Sequence, residues 1–148
     1  MIQNNHGLQF LDFINISEED LEDYQPIAGS FAVIVCKGKY LLCYNKWRNQ
    51  WELPAGRKEL GETSKECAIR ELFEETGQSV SDMEFKGLLK VKKLKDDMIK
   101  YNPVYYGQLN ELQPFQKNDE ISEIMLWDGR ETLPENDLVD LQIINYVK

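Results

Sequence analysis

The chain has 148 residues, with a hydrophobic fraction of 42%, a charged fraction of 29% and a net charge of −9 from 17 basic and 26 acidic residues. Length and apolar content fit one globular domain over residues 1–148, and three Trp, seven Tyr and six Phe supply enough apolar area to exclude wholesale disorder. The acidic balance excludes a general nucleic-acid coat, which needs cations to displace counterions, but leaves phosphate ligands open, because bound metal supplies positive charge.

In chain order, residues 1–10 carry no Lys or Arg and no long apolar stretch, so a secretory signal is not expected. The one histidine, His6, falls in a terminus expected to be mobile and reads as inert. Residues 8–16 are a candidate strand, and the acidic stretch 17–24 fits one helical turn. Residues 30–36 hold the longest apolar run, Phe31 to Cys36, which suits a buried strand and is far too short to cross a membrane. Lys37-Gly38-Lys39 then turns the chain into a strand at 40–44. Residues 45–62 read as loop, broken by Pro54, Gly56 and Gly61. Cys36, Cys43 and Cys67 lack CxxC spacing and read as free thiols, which points to a reducing cytoplasm.

Residues 63–76 give the clearest helix, with a Thr63/Glu66 capping box and Gly77 as its stop. A strand at 83–91 follows, with a bulge or turn expected at Lys92-Lys93. Another strand is expected at 98–109, where Pro103 confines it to a sheet edge or a bulge. Residues 121–127 are a further strand and 137–147 a closing helix. Strands in irregular order around two helices predict an α/β fold with a mixed sheet between helices.

On the 63–76 helix, with Glu71 at zero and ~100° per residue, Glu74 falls at about −60° and Glu75 at about +40°. Ala68, Ile69, Leu72 and Phe73 hold the adjoining apolar arc, and Arg70 is spaced to pair with Glu66 and Glu74. Three carboxylates on one arc repel one another unless a cation joins them. Such an arc is a solvated acidic face or a seat for a hard divalent ion.

The loop before the helix favours the second reading. Gly56, five residues, Glu62, seven residues and Arg70-Glu71-Leu72-Phe73-Glu74-Glu75-Thr76-Gly77 form a string that resembles the signature of the Nudix hydrolase family, G-x5-E-x7-R-E-U-x-E-E-x-G-U, where U is bulky and apolar. Only the last position departs, holding Gln78, which is expected to affect packing at the helix end. The resemblance implies a Nudix-type α/β/α sandwich and a MutT-like hydrolase that cleaves a nucleoside diphosphate linked to another moiety, with nucleoside triphosphates favoured. It implies Mg²⁺ as cofactor, with Mn²⁺ as its substitute. It also assigns roles: Glu71, Glu74 and Glu75 as metal ligands with the Ala55 carbonyl, Glu71 doubling as the candidate base, Arg70 orienting a glutamate, and Glu62 in support. A later loop acid commonly joins such a site, and Glu120 is the candidate here, either as ligand or as base. Chemically, hard carboxylate oxygens hold Mg²⁺, which offsets phosphate charge and acidifies water. Gly56 permits close passage near the ligand, and Cys67 is read as packing.

The expected partner is a small nucleoside diphosphate derivative. No membrane is expected, and nucleic acid only as an RNA 5′ end, which the basic stretch Lys86, Lys90, Lys92, Lys93, Lys95 and Lys100 could meet unless it is a solvated strand face. Trp47, Trp51, Tyr105 and Tyr106 are base-stacking candidates or core. Two other readings remain: a Nudix-fold sensor that binds a nucleotide metabolite without cleaving it, and an interaction protein whose acidic helix is only surface. The sequence leaves the oligomeric state undefined.

Overall fold

The computed structural model describes residues 1–148. Eight strands, β1 (Leu8–Ile14), β2 (Ser30–Cys36), β3 (Lys39–Asn45), β4 (Gln50–Glu52), β5 (Ala55–Gly56), β6 (Glu84–Lys93), β7 (Ile99–Leu109) and β8 (Ile121–Trp127), combine with helices α1 (Ser64–Thr76) and α2 (Leu138–Val147). A short 3₁₀ helix, Glu18–Asp23, forms where the acidic turn was expected.

The sheet runs β1-β6-β7-β2-β3-β4, with β5 paired to β2 and β8 paired to β3. It is mixed: β2 and β7 run parallel, and the other pairs are antiparallel. Strand alternation sends neighbouring β2 residues to opposite layers. Ala32 and Ile34 join Leu41, Ala68, Leu72, Met83 and Tyr105 under α1. Val33 joins Leu42, Leu89, Val91, Val104, Val139, Ile143 and Ile144 under α2. The expected sandwich is therefore present, one helix on each face.

Three local readings need correction. The 45–62 segment is not all loop: β4 and β5 lie in it, each too short to show a periodicity. The β6 strand continues through Lys92 and Lys93, and its irregularity falls instead between Phe85 and Gly87. Of the edge or bulge expected at Pro103, the edge does not occur, since β7 lies between β6 and β2, whereas the β6 irregularity falls opposite Val104 and Tyr105 just after it. Parallel pairing with β2 begins one residue later, at Val104, and the Gly29 carbonyl receives its hydrogen bond from Asn102 Nδ2 at 2.6 Å, so the missing proline N–H is tolerated inside the sheet.

Both caps of α1 form. Thr63 N–H donates to Glu66 Oε1 (2.9 Å) and Glu66 N–H to Thr63 Oγ1 (3.1 Å), while Gly77 takes the left-handed conformation at φ +75°. The off-pattern Gln78 is fully buried. Its amide donates to Gln113 O (2.9 Å) and accepts from Gln113 N–H (2.7 Å). A polar clasp to the 110–120 segment thus replaces the apolar plug, and the departure does act on packing at the helix end.

Candidate functional site

The lead-in and α1 are held together at close range. A Cβ at Gly29 would strike the Gly56 carbonyl, and one at Gly56 would fall inside the Glu71 carboxyl group. Glycine at 56 is therefore required by the approach of a carboxylate. Cys67 Sγ donates to Gly56 O at 3.2 Å, which makes this buried thiol a clamp on the lead-in. Ala55 N–H donates to Glu75 Oε1 at 2.8 Å.

Arg70 gathers one set of carboxylates. It donates to Glu62 (2.6 and 3.1 Å), Glu71 Oε1 (2.8 Å), Glu74 Oε1 (3.1 Å) and the Arg57 carbonyl (2.8 Å). The expected partner Glu66 is absent, because its carboxylate is engaged at the Thr63 N–H. The Arg70 hydrogen bond holds Glu62 below the usual carboxylate range. Glu74 stands outermost, its side chain 54% exposed.

Glu75 is placed differently. It is 7% exposed and forms no ion pair. Burial first, then the fields of Glu120, Glu71 and Glu52, push its carboxyl up to about 9. Burial likewise raises Glu71, against the pull of Arg70. Glu120 enters from the loop before β8, its Oε2 accepting from Asn45 Nδ2 (3.0 Å), whose same nitrogen donates to Glu52 Oε1 (3.1 Å). The structure thus brings Glu71, Glu75 and Glu120 within mutual electrostatic range, with the Ala55 backbone N–H on Glu75 and Glu74 at the rim. A buried carboxylate among acids, with no protein cation, is a donor set that suits a hard divalent ion.

Beside Ala55 and Gly56 opens a cleft of about 490 Å³. Phe31, Arg48, Arg57, Lys58, Lys100 and Asn102 are among its lining residues. Of the expected basic stretch, only Lys100 lines it. Burial, with Lys93 and Arg57 close by, lowers the Lys100 ammonium from its ordinary value. None of the four aromatic candidates lines the cleft. Tyr105 is fully buried with its hydroxyl on Glu18 at 2.8 Å, Trp51 and Tyr44 stack edge to face, Tyr106 sits beneath Lys86, and Trp47 is exposed. The aromatic ring at the cleft is Phe31, which the sequence presents only as one residue of an apolar strand.

His6 is not loose. Its Nε2 lies 2.9 Å from Asp137 Oδ2, and ligand atoms of His6, Glu52 and Asp137 lie within 4.8 Å of one another. These acceptors are already engaged. Asp137 Oδ1 caps α2 through the N–H groups of Val139 (2.9 Å) and Asp140 (3.1 Å), and Oδ2 receives Asn4 Nδ2 (3.2 Å). Glu52 accepts from Arg48 (2.6 and 3.0 Å), Gln50 (2.7 Å) and Asn45. The cluster fastens the N-terminal segment and β4 to α2. No helix of the protein is long and apolar enough to cross a membrane.

A family model described as NUDIX domain matches residues 24–145. A Bacillus subtilis protein provisionally named 8-oxo-dGTP diphosphatase, YtkD, is 29% identical over 109 residues, 71% of this chain and 67% of that protein. An RNA pyrophosphohydrolase of Actinobacillus succinogenes is 35% identical over 66 residues, 43% of this chain, and the match spans only 32% of the relative's length. The crystal structure of a MutT NUDIX hydrolase from Burkholderia pseudomallei superposes with a TM-score of 0.72 at 19% identity, covering 84% of this chain and 100% of that one.

Proposed function

The chain belongs to the Nudix hydrolase family, and on that premise we propose that it is a divalent-dependent pyrophosphohydrolase that cleaves a nucleoside diphosphate linked to another moiety, with nucleoside triphosphates as the favoured substrates. The observation that carries this reading is Glu75: a buried carboxylate, ringed by Glu71 and Glu120, with no cation of its own. A protein that only displayed an acidic surface would not bury that carboxyl among other acids. The relatives' names, a diphosphatase for 8-oxo-dGTP and an RNA pyrophosphohydrolase, lie in the same reaction class.

Glu71, Glu74, Glu75, Glu120 and the Ala55 carbonyl would hold Mg²⁺ or Mn²⁺. When bound, the ion supplies charge compensation for the diphosphate and a more acidic water. The protein's own parts in the reaction are distinct. Glu71 or Glu120 accepts the proton of the attacking water, each being a carboxylate at the acid cluster. Arg70 fixes the rotamer of Glu71 through Nη1 (2.8 Å) and ties it to Glu62 across the loop. Gly56 leaves the space in which Glu71 lies.

The test is phosphate or pyrophosphate release in excess Mg²⁺ across dNTPs, ADP-ribose, dinucleoside polyphosphates, nucleotide sugars and 5′-triphosphate RNA. Turnover of at least one class, abolished by EDTA, supports the proposal. Binding of a nucleotide without turnover would replace it with the sensor reading. Glu120→Gln should lower turnover by about tenfold, as expected for one of several cooperating groups.

A further inference from the structure

The cleft beside Gly56 is lined by twelve residues, among them four cations and no carboxylate, in a chain of net charge −9. The cations come from three separate places: Arg48 from the β3–β4 turn, Arg57 and Lys58 from the chain after β5, and Lys100 from β7. Arg57, Lys58 and Lys100 form no ion pair within the protein.

Arg48 is held for use. Glu52 takes its Nε (2.6 Å) and Nη2 (3.0 Å) in a two-pronged grip, which fixes the guanidinium plane and leaves Nη1 without a protein partner. Asn102 is also fixed, through Nδ2 on Gly29 O at 2.6 Å. Lys100 shares its sheet face with Asn102 by strand alternation, opposite Val91 of β6. The cleft adjoins the acid cluster through Ala55 and Gly56, which line it. A scissile diphosphate at the acids would therefore leave its further phosphates directed along these cations.

We propose that this cleft is a seat for a 5′-triphosphate group, and that Arg48 and Lys100 select substrates carrying such a group over those in which two phosphates join two neutral moieties, such as ADP-ribose. This rests on the hydrolytic reading of the acid cluster. A triphosphate offers more charge than a diphosphate bridge, and only a cleft with spare cations gains from the difference. Free nucleoside triphosphates and the 5′ end of RNA both carry the group.

Binding of inorganic tripolyphosphate and pyrophosphate, measured calorimetrically in EDTA, tests the seat apart from any turnover. Tripolyphosphate should bind about tenfold tighter than pyrophosphate, and Lys100→Gln and Arg48→Gln should each weaken it about tenfold, the size expected for one charge-assisted contact. Arg48→Lys should restore part of the loss, since it keeps the charge but not the fork. Lys90→Gln, on the opposite face of β6, should bind as the wild type does. Equal binding by Lys100→Gln and wild type, or an equal loss in Lys90→Gln, would overturn the proposal. Because Arg48 also supports Glu52, the half-buried Lys100 carries the decision, with its fold checked by melting temperature.

With substrates, the ratio of kcat/KM for a nucleoside triphosphate to that for ADP-ribose should fall about tenfold in Lys100→Gln, mainly through KM. Preference for a triphosphate-capped oligonucleotide over the free nucleotide, or the reverse, supports the seat and identifies which source fills it. If tripolyphosphate binds as stated but no nucleotide is cleaved, the hydrolytic reading fails and the seat stands. If cleavage occurs and tripolyphosphate binding ignores Lys100, the seat fails alone.

Discussion

Glu75 on α1 and Asp137 at the start of α2 are both buried carboxylates, 7% and 3% exposed, yet they are supported very differently. Asp137 accepts two backbone N–H groups of α2, an Asn4 amide and a contact from His6. Glu75 accepts one backbone N–H and otherwise faces acids. Burial alone does not mark a functional acid. A carboxylate whose lone pairs are filled by donors is part of the scaffold, and one left among its own kind is held at a standing cost that a cation relieves.

The sharpest way to break this comparison is Glu75→Gln. Turnover at saturating substrate should fall by about 10²–10³, the range for losing one preorganised charge at a reaction centre. Its melting temperature in EDTA at pH 8 should equal or exceed that of the wild type, since the cost of keeping a buried carboxyl protonated above its unfolded range is removed. Near-normal turnover would return Glu75 to the scaffold class.

Acidity and metal give the next largest effect. The Glu75 carboxyl, raised from 4.5 to about 9, keeps its proton more readily in the folded chain than in the unfolded one. Its contribution to stability is therefore intact below about pH 4.5 and is lost as pH rises toward 9. Asp140, also raised by burial and by Asp137, adds to the same slope. Melting in EDTA should thus fall between pH 5 and 9. A fixed magnesium concentration, a hundredfold over its Kd at pH 8, should restore about 2.7 kcal/mol there. That restoration should be larger at pH 8 than at pH 5.5 and mostly absent in Glu75→Gln. An equal Mg²⁺ effect in wild type and variant would remove Glu75 from the ion's ligands.

Asp137→Ala should do the reverse of Glu75→Gln: a stability loss of about 1–2 kcal/mol in denaturant unfolding, from a lost helix cap, with turnover per folded molecule unchanged. His6→Ala should cost about 0.5 kcal/mol or less, because its ring is partly exposed to solvent. A large loss of turnover in either variant would join the two clusters into one site.

The α1 side of the molecule was legible because its determinants are local. The T-x-x-E cap, the apolar arc of Ala68 and Leu72, and the glycine stop each join residues no more than four apart, and the spacing from Gly56 to Gly77 encodes a loop folded onto its own helix. The acid Glu120 could be proposed from the later loop, but its tether could not, since Asn45 and Glu52 come from another strand pair. The cleft was invisible for the same reason: Phe31, Arg48, Lys100 and Asn102 stand far apart in sequence and meet only through the β2–β7 parallel pairing and the β3–β4 turn. His6 was misread because a terminus was expected to be free, whereas Asp137, 131 positions later, receives it. Of the edge or bulge that Pro103 suggests, the edge is absent because β2 pairs beyond it, while the β6 irregularity between Phe85 and Gly87 lies opposite the two residues that follow it.

The Gln78–Gln113 clasp carries a consequence for how the protein fails on heating. The stretch between β7 and β8 holds little regular structure of its own. It is fastened at Gln113 by this amide pair and at Glu120 by the β3 end, where Lys46 N–H donates to Glu120 O (2.8 Å) and Asn45 Nδ2 to Glu120 Oε2 (3.0 Å). Such a segment opens as a local unit with a lower free energy than the whole domain. Its release would carry Glu120 away while α1 and its acids stay folded. Activity would then be lost reversibly at temperatures where far-UV circular dichroism still reports an intact protein, and amide exchange across 110–120 would lead exchange in the sheet.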